Sequence, residues 1–337
     1  MNPKGKQSIE FKEPPFLQSW ASIVGDKEGE GPLGKEFDQV IEDPYFGEKT
    51  WELAEARFMH QTALLAIQKA GITKREIRYV FAGDLLEQNM STTFGVKDLK
   101  IPLFGLFGAC STAGESIALA SMTVAGGYAD YALALASSHI GSAEKTFRFP
   151  LEYGSQRPLS ATWTVTGAGG FVVSKKKSRI KIRGITTGKI VDYGCTDSMN
   201  MGACMAPAAA DVIYQSMQDF GMSPKDYDAV ITGDLGEIGS KILKDLLMKN
   251  GYDLEEKHKD CGLAIYEDES QDTHAGGSGC ACSAVVLAGL ITKRIASGRW
   301  KRVLFVPTGA LISKVSFNEG ESVPGIAHGI LFESEGI

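Results

Sequence analysis

Metal-type cysteine pairs, an apolar leader, an acidic calcium loop and any excess of basic charge are all missing from this chain. The six cysteines among the 337 residues are Cys110, Cys195, Cys204, Cys261, Cys280 and Cys282. None forms Cys-x-x-Cys, and Cys280-x-Cys282 stands alone, so no metal centre is expected. They read as reduced thiols of an intracellular protein. Met1 to Glu10 holds no apolar core of a signal peptide. Ser116 to Ala129 is uncharged, but Gly126-Gly127 interrupts it and Asp130 follows. It reads as a buried helix turning into a buried strand rather than a membrane span. A net charge of -6 removes bulk attraction to nucleic acid or an anionic membrane. The basic run Lys175 to Arg179 reads as a solvated hairpin at a junction. Without an Asp-rich loop of the EF-hand type, calcium would arrive already chelated by a ligand.

What the chain does have is a duplication. Met59 to Leu85 runs as a helix, a Gly-Ile-Thr turn and an apolar strand ending in Gly83-Asp84-Leu85. Ala209 to Leu235 repeats the pattern, with Gly-Met-Ser at the turn and Gly233-Asp234-Leu235 at the end. Gly108 to Ala120 then matches Gly277 to Ala288, and Gly126 to Leu135 matches Ser297 to Val306. Gly167 to Val173 matches Gly325 to Phe332. The halves are residues 1–180 and 181–337. A repeat on this scale sets the architecture. With 43% hydrophobic and 23% charged residues the composition is that of a globular protein able to bury a sizeable core.

The apolar spacing of Leu53, Ala56, Met59, Ala63, Leu64 and Ile67 predicts a helix over 51–70. Further helices are expected over 111–124, 206–220, 237–250 and 280–297. Strands are expected over 78–82, 131–136, 229–232, 303–306 and 330–332. Residues 163–166 and 171–174 are expected to form a hairpin around Gly167-Ala-Gly-Gly170, and 22–50 an irregular surface crossing held by aromatic residues. Alternating helices and apolar strands predict an α/β fold whose sheets are covered on both faces. Duplication predicts two similar sheets with helices between them.

Cys110 is the sharpest candidate residue. It opens an apolar helix, where unpaired N–H groups and the dipole favour a thiolate or an anion, although a free cysteine is also a common small core residue. Of five histidines, His60 and His258 read as packing or surface residues and His328 lies in a glycine turn. His139 follows a strand end, where sites often lie. His274 sits in the glycine-rich loop Thr273 to Gly279. Lys145, Arg148 and Arg157 stand among Phe147, Phe149 and Tyr153, either as a plain surface loop or as cations for a carboxylate or phosphate. Asp84 and Asp234 recur in both halves, which points to a strand-end role.

The cysteine at the start of the first buried helix, Gly167-Ala-Gly-Gly170 and the glycine-rich loop of the second half resemble the thiolase-like superfamily over almost the whole chain. The resemblance implies a duplicated five-layered α-β-α-β-α sandwich. Gly108-Ala-Cys-Ser-Thr-Ala-Gly-Glu-Ser116 and Asp272-Thr-His-Ala-Gly-Gly-Ser-Gly279 are similar more closely to the stage V sporulation protein AD family of spore-forming bacteria. That implies binding of dipicolinic acid, or its calcium chelate, for uptake into the developing spore. It also implies other membrane transport proteins as partners and a peripheral place at the spore's inner membrane. A ligand site of Cys110, His139, Lys145, Arg148, Arg157, Asp234 and His274 is expected, with no cofactor. Condensing enzymes of this superfamily carry His or Asn in the loop where this chain has Asp234, which argues against catalysis. The alternative is a Cys110-dependent condensing enzyme acting on acyl-CoA. Relatives of the fold are commonly dimers, which implies a homodimer paired through the strand near Tyr131–Ala136.

Overall fold

The computed structural model describes residues 2–147 and 156–336. Ten strands form a continuous path: His258–Asp260, Ala229–Thr232, Arg302–Val306, Gly329–Ser334, Ile180–Thr186, Phe16–Gly25, Gly167–Ser174, Tyr131–Ser138, Ile77–Gly83 and Leu103–Leu106. Read outward from the middle, the two sets of five follow the same order. In each, the outer strands pair in parallel and the inner ones antiparallel. The innermost strands touch only through Ile180 with Leu17 and Lys181 with Phe16. The path is therefore two sheets joined at a short contact.

Apolar side chains on both faces of the strands explain the layers. Along Tyr131–Ser138, Leu133 and Leu135 face one way while Ala132, Ala134 and Ala136 face the other, the period of two expected of a strand. Leu133, Leu135 and Val172 pack on Phe58, Met59, Ala63 and Ile67 of the outer helix Trp51–Lys69. On the far side Val230, Leu304 and Leu331 pack on Met205, Val212 and Met217 of Met201–Phe220 and on Leu243 and Leu247 of Gly236–Met248. Between the sheets lie the central helices Thr112–Ala125 and Cys280–Val286. Ile117, Val124 and Val285 share one cluster with Phe81 and Phe171 of one sheet and Phe305 and Phe332 of the other. Helix, sheet, helices, sheet, helix make the five layers.

Several local expectations are corrected. Gly167–Ser174 is one strand buried along its whole length and not half of a hairpin. Its glycines serve close approach: a Cβ on Gly169 would lie 2.6 Å from the Cβ of Ala284 and 2.7 Å from its carbonyl carbon, in the central helix. Trp163–Thr164 pairs instead with Gly277–Ser278 as a separate parallel ribbon. The innermost strands Phe16–Gly25 and Ile180–Thr186 went unread, because residues 16–25 mix Gln18, Ser19 and Ser22 into the apolar pattern. Lys175 to Arg179 links two strands that are not paired with each other, so the basic run is a connection and not a hairpin. The helix expected over 280–297 changes to a wide turn at Leu287–Ile291 before resuming at Thr292–Ala296. Residues Ile140–Phe147 of the expected recognition loop are helical.

Tyr131–Ser138 lies between Ile77–Gly83 and Gly167–Ser174 and bonds to both. It has no free edge, so it cannot pair with a second copy. The exposed edge of that sheet is Leu103–Leu106. Among the described residues no helix is long and apolar enough to cross a membrane.

Because Gly169 faces backbone as well as side chain, a bulkier residue there must push two layers apart. Gly169→Val is expected to destabilise the fold by about 3 kcal/mol, seen as a lowered urea midpoint. An unchanged midpoint would show that the central layer is not closely packed there.

Candidate functional site

A tight turn delivers Cys110 to the start of the central helix. The 3-10 turn Ala109–Ser111 precedes Thr112–Ala125, and Ala109 takes a left-handed φ of 49°. That conformation costs on the order of 1 kcal/mol for a residue with a Cβ. Cys110 is 6% exposed. Its neighbour from the other half is Asp234, which follows the strand Ala229–Thr232.

Asp234 is fully buried and bonded on every side. Its Oδ1 accepts from Thr308 Oγ1 at 2.7 Å, its Oδ2 accepts from the Gly279 N–H at 3.1 Å, and the Cys110 thiol lies close enough for each group to shift the other's pKa. Asp260 fixes the loop beneath, accepting from the N–H groups of Leu235 at 2.9 Å and Gly236 at 3.1 Å and from Thr232 Oγ1 at 2.6 Å. Burial raises the Asp234 carboxyl to about 7, with the Asp260 charge adding to it. Burial likewise lifts the Cys110 thiol well above its ordinary value, and the Asp234 charge lifts it further. The helix N-terminus would favour a thiolate, but desolvation and the neighbouring carboxylate outweigh it. Cys110 is therefore a neutral thiol at physiological pH.

Duplication produces a mirrored pair. Asp84 ends the strand equivalent to Ala229–Thr232 and accepts from the N–H of Leu86 at 2.8 Å and the N–H of Thr92 at 2.7 Å. Cys280, at the start of the other central helix, donates its thiol to the Ala109 carbonyl at 3.0 Å and feels the Asp84 charge. The shared strand-end role is visible in both aspartates. Only Cys110 reaches open space.

That space is a cavity of about 260 Å³ whose walls include Leu85, Phe107, Phe147, Met199, Met201 and Ile312. Cys110, Gly279 and the hydroxyl residues Thr162, Thr164, Ser198, Ser278 and Ser313 complete much of the rest. Among the described lining residues Glu144 carries the one carboxylate, and none is cationic.

The structure brings Cys110 and Asp234 together, while His139, Lys145, Arg157 and His274 are not among the residues lining the cavity. His139 is buried, with Nδ1 accepting from the Gly141 N–H at 3.0 Å and Nε2 facing the Pro44 carbonyl at 2.8 Å. Burial lowers its pKa. Lys145 pairs with Glu52 at 2.6 Å. Arg157 pairs with Asp272 at 2.6 Å and lies over the Trp163 ring. His274 bonds the Pro158 carbonyl at 2.9 Å and Asp272 at 3.1 Å, so it does not stand opposite Cys110. Arg148 lies outside the described residues. Of the glycine-rich loop, Ser278 and Gly279 line the cavity and His274 does not. Thr162, Thr164, Met199 and Ile312 carried no signal, since such residues are ordinary in any core or loop.

Removing the carboxylate charge tests this description. In Asp234→Asn the Cys110 thiol is expected to lose the part of its upward shift that the Asp234 charge causes, giving faster alkylation by iodoacetamide at pH 8 than in wild type. Equal alkylation rates would contradict the coupling. Burial pushes the folded Asp234 carboxyl up to about 7 from the 3.8 of an unperturbed aspartate, so the folded state keeps a proton that the unfolded chain releases between these values. Its contribution to stability therefore falls as pH rises from about 4 to 7 and levels off above. Asp234→Asn should accordingly gain in melting temperature relative to wild type between pH 5 and pH 8.

Comparison with known proteins places this geometry. The family model described as stage V sporulation protein AD matches residues 5–333. Stage V sporulation protein AD of Bacillus subtilis (strain 168) is 47% identical over 332 residues, covering 98% of this chain and 98% of its own. Among solved structures, 3-oxoacyl-[acyl-carrier-protein] synthase III from Aquifex aeolicus VF5 aligns with a TM-score of 0.57 at 12% identity, over 95% of this chain and 99% of that one. Cerulenin-bound OleA of Xanthomonas campestris aligns with a TM-score of 0.59 at 16% identity, over 99% and 100%. At such identities the likeness is one of fold, and that fold is thiolase-like. The chain belongs to the stage V sporulation protein AD family, sporulation proteins with a thiolase-like fold.

Proposed function

We propose that this chain is a binding protein of sporulation that holds dipicolinic acid, as its calcium chelate, in the cavity beside Cys110, and that it does not catalyse acyl transfer. The observation that carries the reading is a formed cavity built over a cysteine held as a thiol by burial and by the neighbouring Asp234 charge. An acyl-transfer site needs a nucleophile with a base and donors for the oxyanion; Asp234 supplies an acceptor instead. At about 260 Å³ the cavity sits at the small end of ligand pockets, on the order of 300 Å³ and above, which suits one aromatic ring with two carboxyl groups.

Charge favours the chelate. The free ligand is a dianion, and none of the described lining residues is cationic. A one-to-one calcium chelate is neutral overall and needs no cation in the wall. Lys145, Arg157 and His274, expected to receive the ligand, are engaged with Glu52 and Asp272; we assign them to holding the cavity's surroundings.

The partners proposed are membrane proteins of the same transport process, with this chain bound peripherally at the spore's inner membrane, and a second copy of the chain. Support for the second copy comes from the edge strand Leu103–Leu106, where Leu103 and Phe104 are exposed beside Phe107. Unpaired backbone donors flanked by apolar side chains are a ready surface for strand addition. Sedimentation velocity is expected to give a dimer for wild type and a monomer for Phe104→Glu; a wild-type monomer at micromolar concentration would remove this proposal.

Titration calorimetry with dipicolinate, without and with calcium, is expected to give saturable binding, tighter with calcium. Phe107→Ala combined with Met199→Ala, which strips two cavity walls, is expected to weaken it at least about tenfold, since each large apolar wall contributes on the order of 1 kcal/mol or more. Unchanged affinity in that variant would move the ligand elsewhere. The second reading, a Cys110-dependent acyltransferase, draws on the cysteine's place in the cavity wall; a mass increase on Cys110 after incubation with acyl-CoA would establish it.

A further inference from the structure

Two thiols that take no part in the Asp234 site meet at the edge of the cavity wall. Cys204 stands in the first turn of the helix Met201–Phe220, and Cys195 lies in the segment that leads to it. The chain folds back between them. Asp197 Oδ1 accepts from the Met199 N–H at 3.0 Å, and the Asp197 carbonyl accepts from the Asn200 N–H at 3.1 Å. Asn200 Oδ1 then caps the helix by accepting from the Ala203 N–H at 3.3 Å.

The fold brings both cysteines against the same stretch, residues 323–325. The Cys195 carbonyl accepts from the Val323 N–H at 2.8 Å. A Cβ on Gly325 would lie 2.6 Å from the Cys204 carbonyl oxygen. The two side chains pack in one apolar cluster. Cys204 Sγ lies 3.7 Å from the Asp197 carbonyl, so it is aimed at the returning segment. Burial first, and then the Cys195 thiol beside it, push the Cys204 thiol up to about 12.

The six cysteines differ in access. Five are buried, and Cys195 alone is half-buried. Disulfide exchange begins with a thiolate that a reagent can reach. Cys195 is therefore the sulfur that a small disulfide meets, with Cys204 as the buried partner behind it. Cys110, Cys261, Cys280 and Cys282 are buried thiols raised well above their ordinary values.

The segment between the two cysteines carries part of the cavity wall: Ser198, Met199 and Met201. We propose that Cys195 and Cys204 form a dithiol–disulfide site, oxidised by a small-molecule disulfide, whose bond fastens residues 198–201 of the cavity wall to the start of the helix. The Cys195 thiolate attacks one sulfur of the reagent, forming a mixed disulfide and releasing one thiolate. Cys204 Sγ then attacks Cys195 Sγ, closing the protein disulfide and releasing the other half of the reagent. The protein gives up two electrons and two protons, and the reagent leaves as two thiols. A thiol reductant runs the exchange backwards.

The test uses the reduced full chain and glutathione disulfide. After incubation the protein is denatured, alkylated with iodoacetamide and digested with trypsin. Cleavage after Lys189 and Lys225 leaves both cysteines on one peptide. Wild type is expected to give this peptide unalkylated and lighter by two hydrogens. Cys195→Ser and Cys204→Ser are expected to give no such species. If wild type keeps both thiols, or stops with glutathione on Cys195, the site is overturned. Hydrogen exchange then reads the wall. Oxidised wild type is expected to exchange its amides over residues 196–200 about tenfold more slowly than the reduced protein, because a cross-link between the ends of a short loop removes its open conformations. Equal exchange in the two forms would overturn the hold on the wall. Neither readout needs a ligand, so both outcomes are independent of what fills the cavity.

Discussion

A carboxylate buried where the two halves meet decides what the cleft can do. Asp234 joins Thr308 and Gly279 of the second half to Cys110 of the first. Its bonds position the start of one central helix against the start of the other. Its charge, added to burial, keeps the adjacent sulfur protonated. The same residue therefore holds the cavity together and quiets the one group in it that could react. A histidine or asparagine there could donate a hydrogen bond to a developing oxyanion; a carboxylate accepts bonds instead.

The duplication explains why such an arrangement exists twice. Each half contributes one strand-end aspartate and one helix-opening cysteine, crossed between halves as Cys110 with Asp234 and Cys280 with Asp84. On the Cys280 side the aspartate is occupied by Leu86 and Thr92 and the sulfur is wholly buried. On the Cys110 side the segment after Phe107, the ribbon of Trp163–Thr164 and Gly277–Ser278 and the loops at Met199 and Ile312 stand apart and leave a cavity. Close layer packing, down to the missing Cβ of Gly169 against Ala284, is what keeps both helix starts in register.

Much of the fold was legible because it is written in repeats and in periods. The outer helix over 51–69 announced itself through apolar spacing, and the Gly-Asp-Leu endings marked equivalent strands. The innermost strands were hidden: Phe16–Gly25 interleaves polar residues, and Ser19 and Ser22 are nonetheless buried because Ser19 donates to the Ala66 carbonyl and Ser22 engages Asp38. Glycines between Gly167 and Gly170 looked like a turn because sequence alone does not distinguish a glycine needed for φ from one needed for space. At the site, Cys110 was legible from its helix start. The cations Lys145 and Arg157 attracted notice as charges, yet charge is what the surrounding acids Glu52 and Asp272 neutralise. The residues that face the cavity are hydroxyls and apolar side chains, and their identity as a site comes only from three-dimensional convergence.

Membership in a sporulation family and a thiolase-like fold stand beside a buried cysteine whose thiol is raised well above its ordinary value. The most direct test is a crystal structure grown with calcium dipicolinate. The account predicts the ligand in the cavity beside Cys110 with its ring against Phe107. A ligand bound elsewhere with the cavity unchanged would contradict it.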